Sequence, residues 1–159
     1  MLVHTIIVSG KIYKLFKKEA LMNYKQMTAP CGLDCFNCPV YLAKDNEKLR
    51  GIISQKTGIP PEKAFCTGCR NQDGTIAFLN MKQPCNVYRC IKEKDIDFCC
   101  DCSDFPCDHL HPYADKASEV PHNTKVFNLC LIKKMGLESW AASKAGSVKS
   151  TYFKGSFKL

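Results

Sequence analysis

Cysteine is both abundant and regularly spaced in this sequence. The chain has 159 residues, and its twelve cysteines lie at positions 31, 35, 38, 66, 69, 85, 90, 99, 100, 102, 107 and 130. Three pairs are separated by two residues: 35 and 38, 66 and 69, 99 and 102. A tetrahedral zinc site usually takes two such close pairs of soft ligands from separate parts of the chain. The spacing therefore predicts thiolate binding of a metal ion.

The simplest assignment of ligands follows chain order. One predicted site uses Cys35, Cys38, Cys66 and Cys69. The other uses Cys85, Cys90, Cys99 and Cys102. Cys31 and Cys107 remain as additional or substitute ligands, and Cys100 and Cys130 are expected to be packing residues. A single zinc ion, with the other thiols simply buried, is also compatible with the pattern.

An iron–sulfur cluster is the alternative to zinc, because thiolates suit both metals. Cys31, Cys35 and Cys38 have the spacing with which radical S-adenosylmethionine enzymes hold a [4Fe–4S] cluster. Those enzymes are built on a barrel that typically needs about 200 residues or more. Residues 27–159 number only 133 and show no alternation of strands and helices. We therefore do not expect radical chemistry, but a cluster or a redox enzyme at these cysteines stays open.

The remaining motifs favour a binding module over an enzyme. The sequence has no glycine-rich phosphate loop, no Gly-x-Ser-x-Gly and no His-Glu-x-x-His. The net charge is +8, but residues 1–26 hold five lysines and one glutamate, which is half of it. Bound metal–thiolate centres would leave the rest near neutrality. Protein and nucleic acid both remain candidate partners, the latter through the lysines and aromatic residues of the stretch 149–158.

Compartment is inferred from cysteine usage and from the N-terminus. The apolar run 2–8 has no basic segment before it, so it does not resemble a secretory signal. No stretch approaches the roughly 20 apolar residues of a membrane span. We expect a cytoplasmic protein whose thiols stay reduced, with no membrane partner.

Apolar periodicity and the positions of proline and glycine predict several short helices. A helix from Pro39 to about Lys56 would bury Leu42, Leu49, Ile52 and Ile53 and end at Gly58. Other predicted helices cover about 85–94, 104–116, 124–135 and 137–145, the last ended by Gly146. The tail from residue 149 is predicted to be a terminal strand.

Together these elements predict a mostly α-helical, small and irregular cysteine-rich fold. Short helices surround the metal–thiolate sites, and a helical hairpin follows at the C-terminus. Residues 1–26 are interpreted as an extension, with a strand at Val3–Val8 and a helix from Ile12 to about Met22. We expect the native chain to begin at Met22 or Met27. Residues 27–159 are predicted to form one domain: a cysteine-rich part, 27–117, and a hairpin with its tail, 118–159.

Three motifs resemble one protein family. They are Cys-Gly-Leu-Asp-Cys-x-x-Cys-Pro from Cys31, Cys-x-Gly-Cys-Arg from Cys66, and Phe-Cys-x-x-Cys-x-Asp-Phe-Pro-Cys from Phe98. In this order they resemble domain of unknown function 3795, a bacterial and archaeal family presumed to bind zinc. The resemblance implies that ten of the cysteines belong to the family pattern, all except Cys100 and Cys130. It implies metal binding and no activity.

Overall fold

The computed structural model of the protein describes residues 22–158. Seven α-helices lie in this range: α1 (Tyr24–Met27), α2 (Pro39–Leu42), α3 (Glu47–Thr57), α4 (Asn86–Glu93), α5 (Lys125–Met135), α6 (Leu137–Ser143) and α7 (Ala145–Lys154). Short 3₁₀ turns lie between them, and the β structure of residues 22–158 is one isolated bridge between Thr28 and Asp34. The predicted fold class, mostly helical with short helices and C-terminal helices, is confirmed. The strand and helix predicted before Met22 lie outside the described residues.

The helix predicted from Pro39 to Lys56 is two helices. Asn46 is extended (φ −140°, ψ 98°), and its Oδ1 accepts a hydrogen bond from the Leu49 N–H at 3.0 Å, so Asn46 caps α3. The break at Asn46 changes which of the predicted apolar side chains are buried. Ile53 is buried, whereas Leu42 and Ile52 are exposed, contrary to the prediction. Gly58 ends α3 with φ 71°, as predicted.

The helix predicted over residues 104–116 does not form. Only Asp108–Leu110 makes a 3₁₀ turn, although Leu110 is buried as expected. His111 is extended (φ −49°, ψ 139°) and precedes Pro112. Proline disfavours helical backbone in the residue before it and lacks an amide hydrogen, so a helix cannot continue here.

Three helices, rather than a hairpin and a strand, form the C-terminal part. α5 and α6 meet at Gly136, which is the predicted hairpin. Gly146 does not end a helix but lies within α7, and α7 includes residues 149–154 of the predicted strand. The reason is tertiary: Lys149 Nζ of α7 donates to the Asn37 carbonyl at 3.0 Å and lies 3.6 Å from the buried carboxylate of Asp34. No helix within residues 22–158 is long and apolar enough to cross a membrane.

The main core lies where the cysteine-rich part packs on α5 and α6. Trp140 and Leu129 are completely buried there, together with Cys99 and Cys100. Cys130, which was expected to pack inside α5, is exposed instead. The chain around α1 also packs on this core, since the Tyr24 and Phe36 rings lie 5.0 Å apart. The predicted boundary at residue 26 therefore falls within a helix, and the division into an extension and a domain stays a prediction.

One buried amide side chain holds the first cysteine loop against the helices. Asn128 Nδ2 donates to the Gly32 carbonyl at 2.9 Å, and Asn128 Oδ1 accepts from Trp140 Nε1 at 3.3 Å. Gly32 itself has φ 88°, and a Cβ at this position would lie 2.8 Å from the Lys125 carbonyl oxygen and 2.9 Å from Leu129 Cγ. The loop that carries Cys31 can approach α5 this closely because residue 32 has no side chain.

The substitution Gly32→Ala should therefore destabilise the protein more than Gly58→Ala. Both glycines have positive φ, which costs an L-residue about 1–2 kcal/mol. A methyl group at Gly58 meets nothing within 4 Å, whereas one at Gly32 collides with backbone and side chain. Overpacking adds about 1–3 kcal/mol. Urea denaturation monitored by Trp140 fluorescence measures both variants, and equal losses in the free energy of unfolding would contradict the close approach.

Candidate metal centre

Six thiols from three segments lie close enough to influence one another's ionisation, and we call them the first group: Cys31, Cys35, Cys38, Cys66, Cys69 and Cys85. Burial raises the pKa of the Cys35 thiol, and the neighbouring thiols of Cys69 and Cys31 raise it further. Burial raises the pKa of Cys69 to about 12, and repulsion from Cys31 and Cys85 contributes to the increase. Cys66 lies near Cys38, and its pKa is also raised by burial.

Short turns and helix ends position these six thiols. Cys38 is the N-cap residue of α2, as predicted, and Cys85 is the N-cap residue of α4. Gly68 has φ 87°, which lets the chain turn between Cys66 and Cys69, and its missing side chain leaves room for the Tyr41 ring. Cys69 is connected to Cys85 through Gly74, whose N–H donates to the Cys69 carbonyl and whose carbonyl accepts from the Cys85 N–H.

Four further thiols line a single cavity of about 400 Å³; they belong to Cys90, Cys99, Cys102 and Cys107, and we call them the second group. The cavity lies between α4 and the turns that follow it, and Val87 and Ile91 supply its apolar wall. Burial is the main cause that raises the pKa of Cys99 to about 12, and repulsion from Cys31, Cys107 and Cys90 adds to the increase. The exposed His109 also lines this cavity, so one imidazole is available beside the four thiols.

Cys31 lies where the two groups meet. Its neighbours include Cys85 of the first group, and it is also close to Cys99 of the second. The connection is fixed in the backbone, because the Cys99 N–H donates to the carbonyl of Pro30 at 3.0 Å. Burial raises the pKa of Cys31, and the Lys125 ammonium group partly offsets this.

Several sulfur atoms accept hydrogen bonds from nearby donors. The Gly68 N–H donates to Cys66 Sγ at 3.2 Å, the Tyr88 N–H to Cys85 Sγ at 3.4 Å, and the Asp104 N–H to Cys102 Sγ at 3.4 Å. Donors directed at a sulfur favour its thiolate form. Such outer hydrogen bonds also orient metal ligands and adjust the properties of a metal centre.

A lysine lies at the rim of the cavity beside the second group. Lys94 Nζ contacts Cys102 Sγ at 3.1 Å and Asp104 Oδ2 at 2.6 Å. The hydrogen bond to Asp104 is the main cause of the raised pKa of Lys94, and the hydrogen bond to Cys102 is the second. The hydrogen bond between Lys94 and Asp104 also lowers the pKa of the Asp104 carboxyl. A fixed positive charge thus lies next to one sulfur of this group.

No group of three or more cysteine, histidine, aspartate or glutamate side chains in residues 22–158 is arranged to hold a metal ion as it stands. The chemistry of the donor set nevertheless fits a thiophilic ion. Buried thiols with raised pKa values stay protonated without a cation, and a coordinating metal ion deprotonates them outright. All twelve cysteines fall within the described residues, and none forms a disulfide.

The two groups differ from the assignment by chain order. The structure keeps Cys35, Cys38, Cys66 and Cys69 together, but it places Cys85 with them rather than with Cys90. Cys107 takes the corresponding place in the second group. Cys85 is the extended N-cap residue before α4, whereas Cys90 lies in the middle of that helix, so the two thiols occupy different places on α4 and belong to different groups. The choice of ligands stays a prediction.

A small, mostly helical protein with two groups of free cysteines is the class that this fold and site define. The model of the family described as "Protein of unknown function (DUF3795)" matches residues 27–112. The match covers more than half of the chain and includes eleven of the twelve cysteines, all except Cys130, so the protein belongs to this family. No curated protein and no solved structure matches the chain.

Mild oxidation of metal-free protein with diamide should reveal the two groups as cross-links. Disulfides form between residues whose Cα atoms lie within about 7 Å. We expect links within each group, such as Cys35–Cys69 and Cys99–Cys107, and none between Cys85 and Cys90. Peptide mapping by mass spectrometry measures this, and protein oxidised in urea is the control that should lose the selectivity. A dominant Cys85–Cys90 link in folded protein would overturn the grouping.

Proposed function

We propose that the protein binds zinc through its cysteine thiolates and that the metal is mainly structural. The observation that carries the proposal is the second group, four cysteines around one cavity. Four thiolates are a complete ligand set for a closed structural zinc site. Cys90, Cys99, Cys102 and Cys107 would hold this ion. The first group would hold a second ion with four of its six thiols, among them Cys35 and Cys69.

Burial is the physical reason why these thiols suit a metal. A buried thiol cannot ionise without a compensating charge, as the raised pKa values of Cys69 and Cys99 illustrate. A divalent cation supplies that charge and would join the separate segments that carry the thiols. Bound zinc would then contribute folding free energy directly, on the order of 10 kcal/mol for a favourable site.

The proposed role is that of a binding module in a reducing cytoplasm. The absence of disulfides among the twelve cysteines fits a compartment that keeps thiols reduced. A closed four-thiolate site leaves no open coordination position for a substrate. The helices α5, α6 and α7 carry surfaces away from both groups, and these are the surfaces available to a partner.

An iron–sulfur cluster is the second candidate, and the position of Cys31 favours it. Cys31 and Cys38 are both among the thiols that raise the pKa of Cys35, so the three cysteines of the cluster spacing share one region. In a site made of two pairs Cys31 would be surplus, whereas in a three-cysteine cluster it is a ligand. Elemental analysis together with a visible spectrum separates zinc from an iron–sulfur cluster.

Protein purified without air should be colourless and contain about two zinc ions. Removing the metal with a chelator should lower the thermal midpoint and reduce the helical circular dichroism. The reason is that the proposed ions link the cysteine-bearing segments between residues 31 and 110. Elemental analysis, a visible spectrum and a thermal scan measure these outcomes. A brown sample that contains iron would replace zinc with the second candidate. An unchanged midpoint after verified metal removal would contradict a structural role.

The variant Cys107→Ser should reduce the zinc content from about two ions to about one. Serine lacks the soft sulfur donor, and the second group would keep only three thiolates. The matched control is Cys130→Ser, since Cys130 is exposed and lies outside both groups. We expect this control to keep the full zinc content. Equal metal content in the two variants would show that Cys107 is not a ligand.

A further inference from the structure

A groove lies between α5 and α7, on the C-terminal helices; we call it the α5–α7 groove. Its volume is about 480 Å³, within the range of ordinary binding pockets. It is lined by Asn123, Thr124, Phe127, Leu131, Lys144, Ser147, Val148, Thr151 and Tyr152. Phe127 is 58% exposed, which leaves most of a large apolar ring in water. Exposed apolar surface in a concave site is typical of a binding surface.

The groove lies in the basic part of the described chain. Residues 122–158 contain seven lysines and one glutamate, a net charge of +6. Residues 22–121 contain twelve basic and thirteen acidic side chains, a net charge of −1. Of the seven lysines, only Lys149 forms an ion pair with an acidic side chain within residues 22–158. The positive charge of these helices is therefore mostly uncompensated by the described residues.

Three of these lysines lie on or at the start of the two helices that form the groove. Lys144 lines the groove directly, at the start of α7. Lys134 follows Phe127 by seven residues on α5, and Lys154 follows Ser147 by seven residues on α7. Residues seven apart lie on the same face of a helix, so both lysines extend the two walls of the groove. All three lysines are exposed.

We propose that the α5–α7 groove binds an acidic, amphipathic helical segment of a partner protein. The apolar side chains of such a helix would pack on Phe127, Leu131 and Val148, and its carboxylates would face the lysines. Laying the apolar face of a helix into a hydrophobic groove is a common mode of peptide recognition. The charge pattern selects an acidic helix, because a basic one would be repelled.

Charge and shape also argue against other occupants. Residues 1–21 contain four lysines and one glutamate, so this segment carries the same sign of charge as the groove. Single-stranded nucleic acid binds by stacking its bases on aromatic rings along a basic channel. The groove offers one well-exposed ring, Phe127. Its second ring, Tyr152, is only partly exposed, and Leu131 and Val148 are aliphatic.

The test is fluorescence anisotropy with the full chain and a labelled peptide that has leucine at i, i+3, i+4 and i+7 and glutamate at most other positions. We expect micromolar binding that weakens as salt is added, since exposed charges are screened. A peptide with lysine in place of glutamate should not bind. Phe127→Ser and Lys144→Glu should each weaken binding of the acidic peptide roughly tenfold or more. The matched control is Phe153→Ser, an exposed phenylalanine on α7 that does not line the groove, which should bind as the wild type does.

Four outcomes would overturn the proposal. The acidic peptide does not bind, or the Phe127 variant binds it as well as the wild type. Labelled oligothymidine binds more tightly than the acidic peptide, and Phe127→Ser and Lys144→Glu weaken its binding. Sedimentation shows a dimer that Phe127→Ser dissociates, which would make a second copy of the chain the occupant. Circular dichroism of each variant confirms that lost binding does not reflect lost folding.

Discussion

The side chain of Asn128 joins the two parts of the molecule, and the positions of the cysteines depend on it. It donates to the Gly32 carbonyl of the cysteine loop and accepts from the Trp140 indole of α6, and the side chains of Asn128 and Trp140 are both completely buried. A buried amide that lost these partners would cost about 1–3 kcal/mol for each unsatisfied group. The contact therefore specifies one docking of the cysteine loop on α5, and Cys31 is placed against Cys99 as a consequence.

The thiols impose the second constraint. Cysteine supplies three of the thirteen buried side chains of the main core, Cys69, Cys99 and Cys100, and Cys31, Cys35 and Cys85 pack against them. The six thiols of the first group and the four of the second are free and mostly sheltered from water. Sheltered thiols are weak packing groups but strong ligands once ionised. Metal ions bound by these thiols would therefore complete the fold. The α5–α7 groove contains no cysteine, so it stays available to a partner.

Local sequence signals predicted much of this structure and missed what depends on distant contacts. Gly58, Gly136 and the apolar spacing of α5 marked helix ends and positions correctly. Asn46 and Pro112 are local signals as well, and the helices predicted across them, 39–56 and 104–116, are wrong because a capping asparagine and a proline interrupt them. The helical tail was not readable, because it depends on Lys149 reaching Asp34 across the fold. The grouping of Cys85 and Cys107 likewise depends on how α4 is oriented.

The central claim is that the second group binds a metal ion through sulfur. Anomalous diffraction at the zinc absorption edge, from crystals grown without added metal, tests it most directly. The account predicts a strong peak enclosed by Cys90, Cys99, Cys102 and Cys107, at about 2.3 Å from each sulfur. A second, separate peak should lie within the first group. Crystals with no peak at the second group, or with an iron signal beside Cys31, Cys35 and Cys38 instead, would contradict the account.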